Sequence, residues 1–245
     1  MNHVLRSEAM KTDLHTSPPT TERKTRRATE STLKRKLRNS SLSIVLTALF
    51  LIFLVAQSFT GLYAYNAEQR DHGKETTTYW RYVTSGHFLE AVGENWESEF
   101  LQMAAFAFLT MFLYQKGSAE SNDPDADEPH RPPQPDSPWP VRVGGWVEKL
   151  YNHSLSIALF ALFVLSFLIH LFGGAAEYRQ EQLEHGQRGA TVAEYLSSSR
   201  FWFESFQNWQ SEFLAILAMV VLTIWLRQKG SPESKEPATP NWEHD

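Results

Sequence analysis

The sequence predicts an all-α integral membrane protein, a bundle of four transmembrane helices from two parallel hairpin repeats, with short outer interfacial helices. Two observations carry this fold class: four apolar blocks separated by polar segments, and an internal duplication. The average composition, with 42% hydrophobic residues and a net charge of −5, is typical of a soluble domain and conceals both features. Because the chain contains no cysteine, disulfides, thiolate nucleophiles and cysteine-ligated metal sites are excluded.

The chain begins with a basic segment, residues 1–38, which we predict to be a disordered cytoplasmic tail. It carries ten Lys and Arg residues against four Asp and Glu residues. Such a segment attracts the anionic lipids of a cytoplasmic membrane surface. Its basic residues are not interleaved with aromatic side chains and form no recognisable nucleic-acid-binding motif, so no nucleic-acid partner is predicted.

The first and third apolar blocks predict transmembrane helices at about 42–63 and 154–176. Neither block contains a charged residue, and about 21 residues of helix span roughly 31 Å, the thickness of a bilayer's hydrocarbon core. The second and fourth blocks are shorter and cross only if their helices begin near Asn95 and Asn208. The other two spans are therefore predicted at about 95–115 and 208–228.

The duplication covers most of the chain. Residues 36–121 align without a gap with residues 149–234, and about 38 of the 86 positions are identical. The motifs NxSLSIxLxALF, NWxSEFL and QKGSxES occur in both copies. Because each copy crosses the membrane twice, the copies are parallel, whereas the inverted repeats of secondary transporters need an odd number of crossings.

The repeats also define the domain organisation. Residues 39–118 form the first repeat and residues 141–230 the second. The segment between them, residues 119–140, contains seven prolines and is predicted to be a disordered linker. Residues 231–245 have a similar composition and are predicted to be a disordered tail.

The distribution of Lys and Arg predicts the orientation. The basic tail, Lys116 and Arg227 lie on one side of the predicted bundle, and the loops on the other side are not enriched in cations. The positive-inside rule then places both termini in the cytoplasm of a multi-pass protein of the bacterial inner membrane. Each outer loop mixes aromatic and acidic residues, which favours a short interfacial helix before the second span of its repeat.

An acidic stripe precedes the second span. Its four residues are spaced so that they share one face of a helix; they are His87, Glu90, Glu94 and Glu97. Imidazole and carboxylate groups are suitable ligands for a divalent cation. The second repeat does not preserve the stripe, because the equivalent residues are Arg200, Phe203, Gln207 and Gln210. A solvated acidic face is therefore favoured over a metal site.

Polar residues inside the predicted spans form a second candidate. Polar groups in hydrocarbon are costly, so they are expected to face the bundle interior and pair with one another. We expect Glu99 and Glu212 to lie near each other and near His170. The candidate intramembrane cluster consists of Gln57, Asn95, Glu99, Gln102, His170, Asn208 and Glu212. A hydrogen-bonded clasp that fixes helix register is favoured over a site that responds to protons or cations.

The remaining sequence contains no motif for catalysis or for a cofactor. His72 and His185 occupy equivalent positions before a glycine, and caps of helix ends are favoured there over metal ligands. No nucleophile–histidine–acid array, glycine-rich phosphate loop or dinucleotide fingerprint is present. We therefore predict no enzymatic activity, no cofactor and no resident metal.

The motifs NWESEFLQ and FWFESFQNWQSEFLA, and the doubled QKGSxES, resemble those of a family of small bacterial membrane proteins classed as a domain of unknown function. The resemblance extends from about residue 40 to 235. It implies an integral membrane protein with duplicated hairpins, and it implies no activity, ligand or functional residue.

Two functions remain open at this stage. The leading interpretation is a non-enzymatic membrane scaffold or interaction module, whose partner is a second copy or another membrane protein. The alternative is a small proton- or cation-coupled channel or transporter that uses the intramembrane cluster.

Overall fold

Residues 32–124 and 132–243 are described by a computed structural model and form helices joined by turns, with no strand among them. The all-α fold class is thereby confirmed for this part of the chain. The chain divides into two compact units, Met1–Gln57 and Ser58–Asp245. Most of the predicted basic tail (residues 1–31) and the middle of the predicted linker (residues 125–131) lie outside the described residues.

The described residues contain nine helices, numbered here in chain order. They are α1 (Thr32–Asn39), α2 (Ser41–Asp71), α3 (Tyr79–Val83), α4 (Gly86–Leu109), α5 (Trp139–Val143), α6 (Gly145–Asn152), α7 (Ser154–Glu184), α8 (Val192–Leu196) and α9 (Ser199–Leu222).

The duplication is visible in the helix boundaries. α2, α3 and α4 recur as α7, α8 and α9 with every boundary shifted by 113 residues. A packing detail recurs as well, since Tyr82 covers Gly61 in the first copy and Tyr195 covers Gly174 in the second. A Cβ atom on either glycine would lie 2.2 Å from the tyrosine hydroxyl. The two copies therefore share their local packing as well as their sequence.

α2 and α7 indicate membrane association. Each has 31 residues and is long and apolar enough to cross a bilayer. Many of their large apolar side chains are exposed, for example Phe53 on α2 and Leu155, Phe160 and Phe172 on α7. Water is a poor solvent for so much apolar surface, whereas lipid accommodates it.

α4 and α9 differ in extent from the predicted second and fourth spans. Each begins nine residues earlier, at Gly86 and Ser199, and ends six residues earlier. The early start comes from a serine cap, because Ser85 accepts a hydrogen bond from the Phe88 amide, and Ser198 does the same in the second copy. The predicted interfacial helices are thus reduced to α3 and α8, of five residues each, and the rest of each outer segment begins the long helix.

The QKGSxES motif forms a turn shortly after the last long helix of each repeat. The hydroxyl of Ser121 accepts a hydrogen bond from the Gln115 amide at 2.8 Å, and Ser234 accepts one from Gln228 at the same distance. The positive φ angles of Gly117 and Gly230 fit the tight turn. The repetition of this motif therefore has a structural explanation.

The segment after Ser231 differs from the disordered tail that its composition predicts. Its described residues form turns around Lys235, which is buried. The Lys235 ammonium group donates hydrogen bonds to the backbone carbonyls of Pro240, Asn241 and Glu243. A composition rich in proline does not predict these hydrogen bonds, because their acceptors are backbone carbonyl oxygens.

Candidate functional site

Three glycines bring α4 and α7 into close contact. A Cβ atom on Gly93 would lie 2.4 Å from the backbone nitrogen of His170. A Cβ atom on Gly86 would lie 2.7 Å from the carbonyl oxygen of Gly173, and one on Gly173 would lie 2.7 Å from the backbone nitrogen of Glu90. Small residues of this kind let helix backbones approach each other. The contact places the polar side chains of α4 directly against His170.

A histidine–carboxylate pair lies at the centre of this contact. His170 Nδ1 is 2.8 Å from Glu97 Oε2, and both side chains are fully buried. Trp209 of α9 donates a hydrogen bond from Nε1 to the other oxygen of Glu97 at 3.0 Å. The imidazole ring stacks on Phe201, with 4.7 Å between the ring centroids. Both atoms of the carboxylate are therefore occupied, and the plane of the imidazole is fixed.

Arg200 holds a second group of carboxylates beside the pair. Its Nε donates to Glu204 at 2.9 Å, its Nη1 donates to Glu181, and its Nη2 lies 3.4 Å from Glu90. The guanidinium group also lies 5.7 Å from the centroid of the Tyr178 ring. One cation from the second repeat thus gathers acids from α4, α7 and α9.

Tyr195 connects two of these acids. Its hydroxyl is 2.8 Å from Glu204 Oε2 and 3.0 Å from Glu90 Oε1. Since a hydroxyl has one proton, it donates to only one carboxylate at a time. Both contacts are hydrogen bonds when Tyr195 donates to Glu204 and a protonated Glu90 donates to Tyr195.

An acidic cavity of about 730 Å³ is lined in part by Glu90, Arg200 and Glu204. Its walls carry seven glutamates but only one lysine and one arginine. The glutamates are Glu68, Glu90, Glu94, Glu177, Glu181, Glu184 and Glu204. Two of the lining residues, Glu94 and Glu204, lie next to the buried His170, and one ligand atom from each of the three lies within 4.8 Å of the others. A cavity with this charge attracts cations and repels anions.

The acidic stripe predicted from the sequence is not a solvated face. Glu90 and Glu97 are buried, Glu94 is half-buried, and all three meet side chains of the second repeat. His87 is half-buried against the rings of Tyr65 and Tyr82. The prediction was wrong about solvation because the glycines at positions 86 and 93 share this face of α4 and bring it against α7.

His170 does not pair with the acids predicted from the sequence. It contacts Glu97 and Glu204, whereas Glu99 is exposed. Two residues along a helix correspond to a rotation of about 200°, so Glu97 and Glu99 point in nearly opposite directions. The error in the predicted cluster is therefore one of rotation about the helix axis.

The other members of the predicted intramembrane cluster form local contacts. Glu99 and Glu212 do approach each other, and the Gln102 side chain donates to the backbone carbonyl of Glu212 at 3.3 Å. Asn95 and Asn208 each donate to a carbonyl one turn earlier in their own helix. Gln57 belongs to the other compact unit, and its place in the cluster remains a prediction.

His72 and His185 cap helix ends, as favoured from the sequence. Nδ1 of His72 is 2.9 Å from the Glu68 carbonyl oxygen, and Nδ1 of His185 is 2.7 Å from that of Glu181. A glycine with positive φ follows each histidine.

Glu204, Tyr195 and Trp209 belong to neither candidate set predicted from the sequence, and Arg200 enters there only as a break in the acidic stripe. A useful signal was present in the differences between the repeats. Three site residues of the second copy are replaced in the first copy. His170, Arg200 and Glu204 correspond there to Gln57, His87 and Ala91. The two copies have diverged at the site while they kept the fold.

The contact between Glu99 and Glu212 gives a first prediction. Glu99→Gln and Glu212→Gln preserve hydrogen-bonding capacity and should leave the thermal unfolding temperature in detergent close to that of the wild type. Glu212→Leu removes this capacity from a half-buried position and should lower the stability by about 1 kcal/mol. An equal and large loss with both types of substitution would contradict this account, in which hydrogen bonding alone stabilises the contact.

One comparison with known proteins gives a match. A family model described as "Domain of unknown function (DUF6766)" matches residues 33–245. No curated protein and no solved structure matches the chain.

Proposed function

Because the chain belongs to the DUF6766 family, a domain of unknown function, we propose its function from the geometry of the site. The protein is a multi-pass membrane protein that takes up cations from the outer side and acts as a small cation channel or transporter. The observation that carries this proposal is the acidic cavity, whose lining residues Glu94 and Glu204 lie within 4.8 Å of the buried His170.

The electrostatics favour a cation as the ligand. Seven glutamates line the cavity, and four of them form ion pairs with its two cationic residues. Arg200 pairs with Glu90, Glu181 and Glu204, and Lys74 pairs with Glu184. The net negative charge of the walls concentrates cations at the entrance. A scaffold needs no such cavity, and the scaffold role predicted from the sequence remains untested.

The membrane arrangement behind this proposal has four spans. α2 and α7 supply two of them, and α4 and α9 the others, since 24 residues of helix extend about 36 Å. Their C-terminal halves expose large apolar side chains, including Phe108, Leu214, Leu217 and Leu222. Lipid contact accounts for these side chains.

The orientation follows from the charge bias. The cavity is lined by His72 and His185, at the ends of α2 and α7 that are farthest from the basic tail in sequence. If the basic segments lie in the cytoplasm of a bacterial inner membrane, the cavity opens to the outer side.

Ion flux into proteoliposomes tests the function. Vesicles with purified protein are loaded with indicators for K⁺, Na⁺, Ca²⁺ or Zn²⁺, and the entry of each ion is followed. We expect at least one cation to enter faster than into protein-free vesicles, and we expect Glu204→Gln to slow this entry several-fold. Glu99→Gln, which changes a glutamate outside the cavity lining, is the matched control. Entry of none of these cations above the protein-free rate would contradict the proposal.

Labelling of single cysteines tests the orientation. The positions are exposed in the structure, and the wild-type chain has no cysteine. In intact cells, Glu75→Cys and Gln187→Cys should react with a membrane-impermeant thiol reagent, whereas Asp136→Cys and Ala238→Cys should react only after lysis. The reverse pattern would place the cavity on the cytoplasmic side.

A further inference from the structure

We infer that Glu94, His170 and Glu204 bind a divalent first-row transition-metal ion, for which Zn²⁺ is the probe. This inference rests on the proposed function, because Glu94 and Glu204 line the same cavity and the inference specifies the cation that they bind. The three ligand atoms come from three helices and belong to both repeats.

The distances are close to those of a metal site. The three ligand atoms lie within 4.8 Å of one another, and His170 Nε2 is 3.6 Å from Glu204 Oε2. Zinc bonds to histidine nitrogen and carboxylate oxygen are about 2.0–2.2 Å long, so two ligands of one ion lie at most about 4 Å apart. A displacement of the half-buried Glu94 carboxylate by about 1 Å would bring its oxygen within the distance that ligands of one zinc ion have from each other.

A buried nitrogen without a hydrogen-bond partner supports this assignment. His170 is fully buried, and its Nε2 has no hydrogen-bond partner among the described residues. A buried polar atom without a partner is costly. A metal ion between His170, Glu94 and Glu204 provides the partner that Nε2 lacks.

Glu97 provides the support that a metal-binding histidine needs. When His170 Nδ1 carries the proton and donates to Glu97, the lone pair of Nε2 is free for the metal. Trp209 fixes the second oxygen of Glu97, so the carboxylate is held in position from both sides. This arrangement of carboxylate, histidine and ion recurs at zinc sites.

The donor set selects among cations. A histidine nitrogen together with two carboxylates suits Zn²⁺ and related transition-metal ions, whereas Mg²⁺ and Ca²⁺ prefer sites built from oxygen alone. Three protein ligands leave the fourth position of a tetrahedral ion for water or another ligand from the cavity.

The positions related to these ligands by the duplication carry other residues. The residues equivalent to His170 and Glu204 are Gln57 and Ala91, and those that correspond to Glu94 and Glu97 in the second repeat are Gln207 and Gln210. The divergence removes the imidazole and the carboxylates together. Such a joint change is expected if these groups act as one site, and the duplicated chain then has a single copy of it.

Titration calorimetry of Zn²⁺ into the detergent-solubilised, chelator-treated protein tests the inference. We expect one tight site in the wild type. Glu94→Gln, Glu204→Gln and His170→Gln should each weaken it by at least about tenfold, and Glu97→Gln by about 10- to 100-fold. Glu99→Gln and His72→Gln are controls that keep wild-type affinity, the latter because His72 is exposed at a helix end.

The variants keep the test decisive even if the buried pair is needed for folding. Glu94 is half-buried, so Glu94→Gln is expected to fold, and its folding is checked by thermal unfolding. Absence of tight Zn²⁺ binding in the wild type, or binding that Glu94→Gln and Glu204→Gln leave unchanged, would overturn the inference. In that case His170 is an imidazolium ion held by Glu97 and Glu204.

The outcome is independent of the flux assay. Zn²⁺ binding without movement of any cation would remove the transport function and keep the metal site. Conversely, cation flux in a protein without tight Zn²⁺ binding would keep the function and remove the site.

Discussion

Replacement of Glu97 by leucine is expected to destabilise the protein more than any other single change considered above. The leucine removes the partner of His170 Nδ1 and the acceptor of the Trp209 hydrogen bond, both inside the helix contact. Loss of one member of a buried, charged pair typically costs about 3–5 kcal/mol. Glu97→Gln keeps one acceptor oxygen and should cost less.

Thermal unfolding in detergent measures this effect. The control is Glu99→Leu, which places the same substitution two residues away on the exposed side of α4. We expect a large decrease in unfolding temperature for Glu97→Leu and smaller decreases for Glu97→Gln and for the control, which loses only the contact with Glu212. Equal stability of Glu97→Leu and Glu99→Leu would contradict the buried pair.

Gly93→Ala is expected to have the second largest effect. The added Cβ atom would lie 2.4 Å from the His170 nitrogen and 2.8 Å from its Cα. These are backbone atoms, so no side-chain rotation relieves the contact, and α4 and α7 have to separate. Overpacking of this kind costs about 1–3 kcal/mol or more, and the separation also moves His170 away from Glu97.

Two measurements check the glycine prediction. Thermal unfolding should show a lower transition temperature than that of the wild type, and Zn²⁺ affinity should fall because the ligands come from both helices. Ala215→Val adds bulk at an exposed position of α9 and should change neither quantity. Wild-type stability of Gly93→Ala would show that the two helices do not pack closely at this residue.

Much of the secondary structure could be predicted from the sequence. α2 and α7 follow from their long uncharged blocks, and their equal lengths follow from the duplication. The starts of α4 and α9 were missed because the serine caps at positions 85 and 198 precede polar residues, which resemble a loop in composition. A cap is a local signal, and a search for Ser at the beginning of each outer segment finds it.

The arrangement of the site was only partly predictable. Each candidate set predicted from the sequence contains part of the site, His170 in one and Glu94 and Glu97 in the other, but the two sets share no residue. Glu97 and His170 are 73 residues apart in the chain, and their contact depends on the rotation of α4 about its axis. That rotation is set by glycine contacts between helices, which periodicity within one helix does not report.

The central claim is that Glu94 and Glu204 of the acidic cavity bind a cation together with the buried His170, so that both repeats supply ligands. Anomalous diffraction at the zinc absorption edge from crystals of the Zn²⁺-loaded protein tests it most directly. The account predicts one strong peak between Glu94, His170 and Glu204, with ligand distances of about 2.0–2.2 Å. Zinc density only at exposed histidines such as His72, with none beside His170, would contradict it.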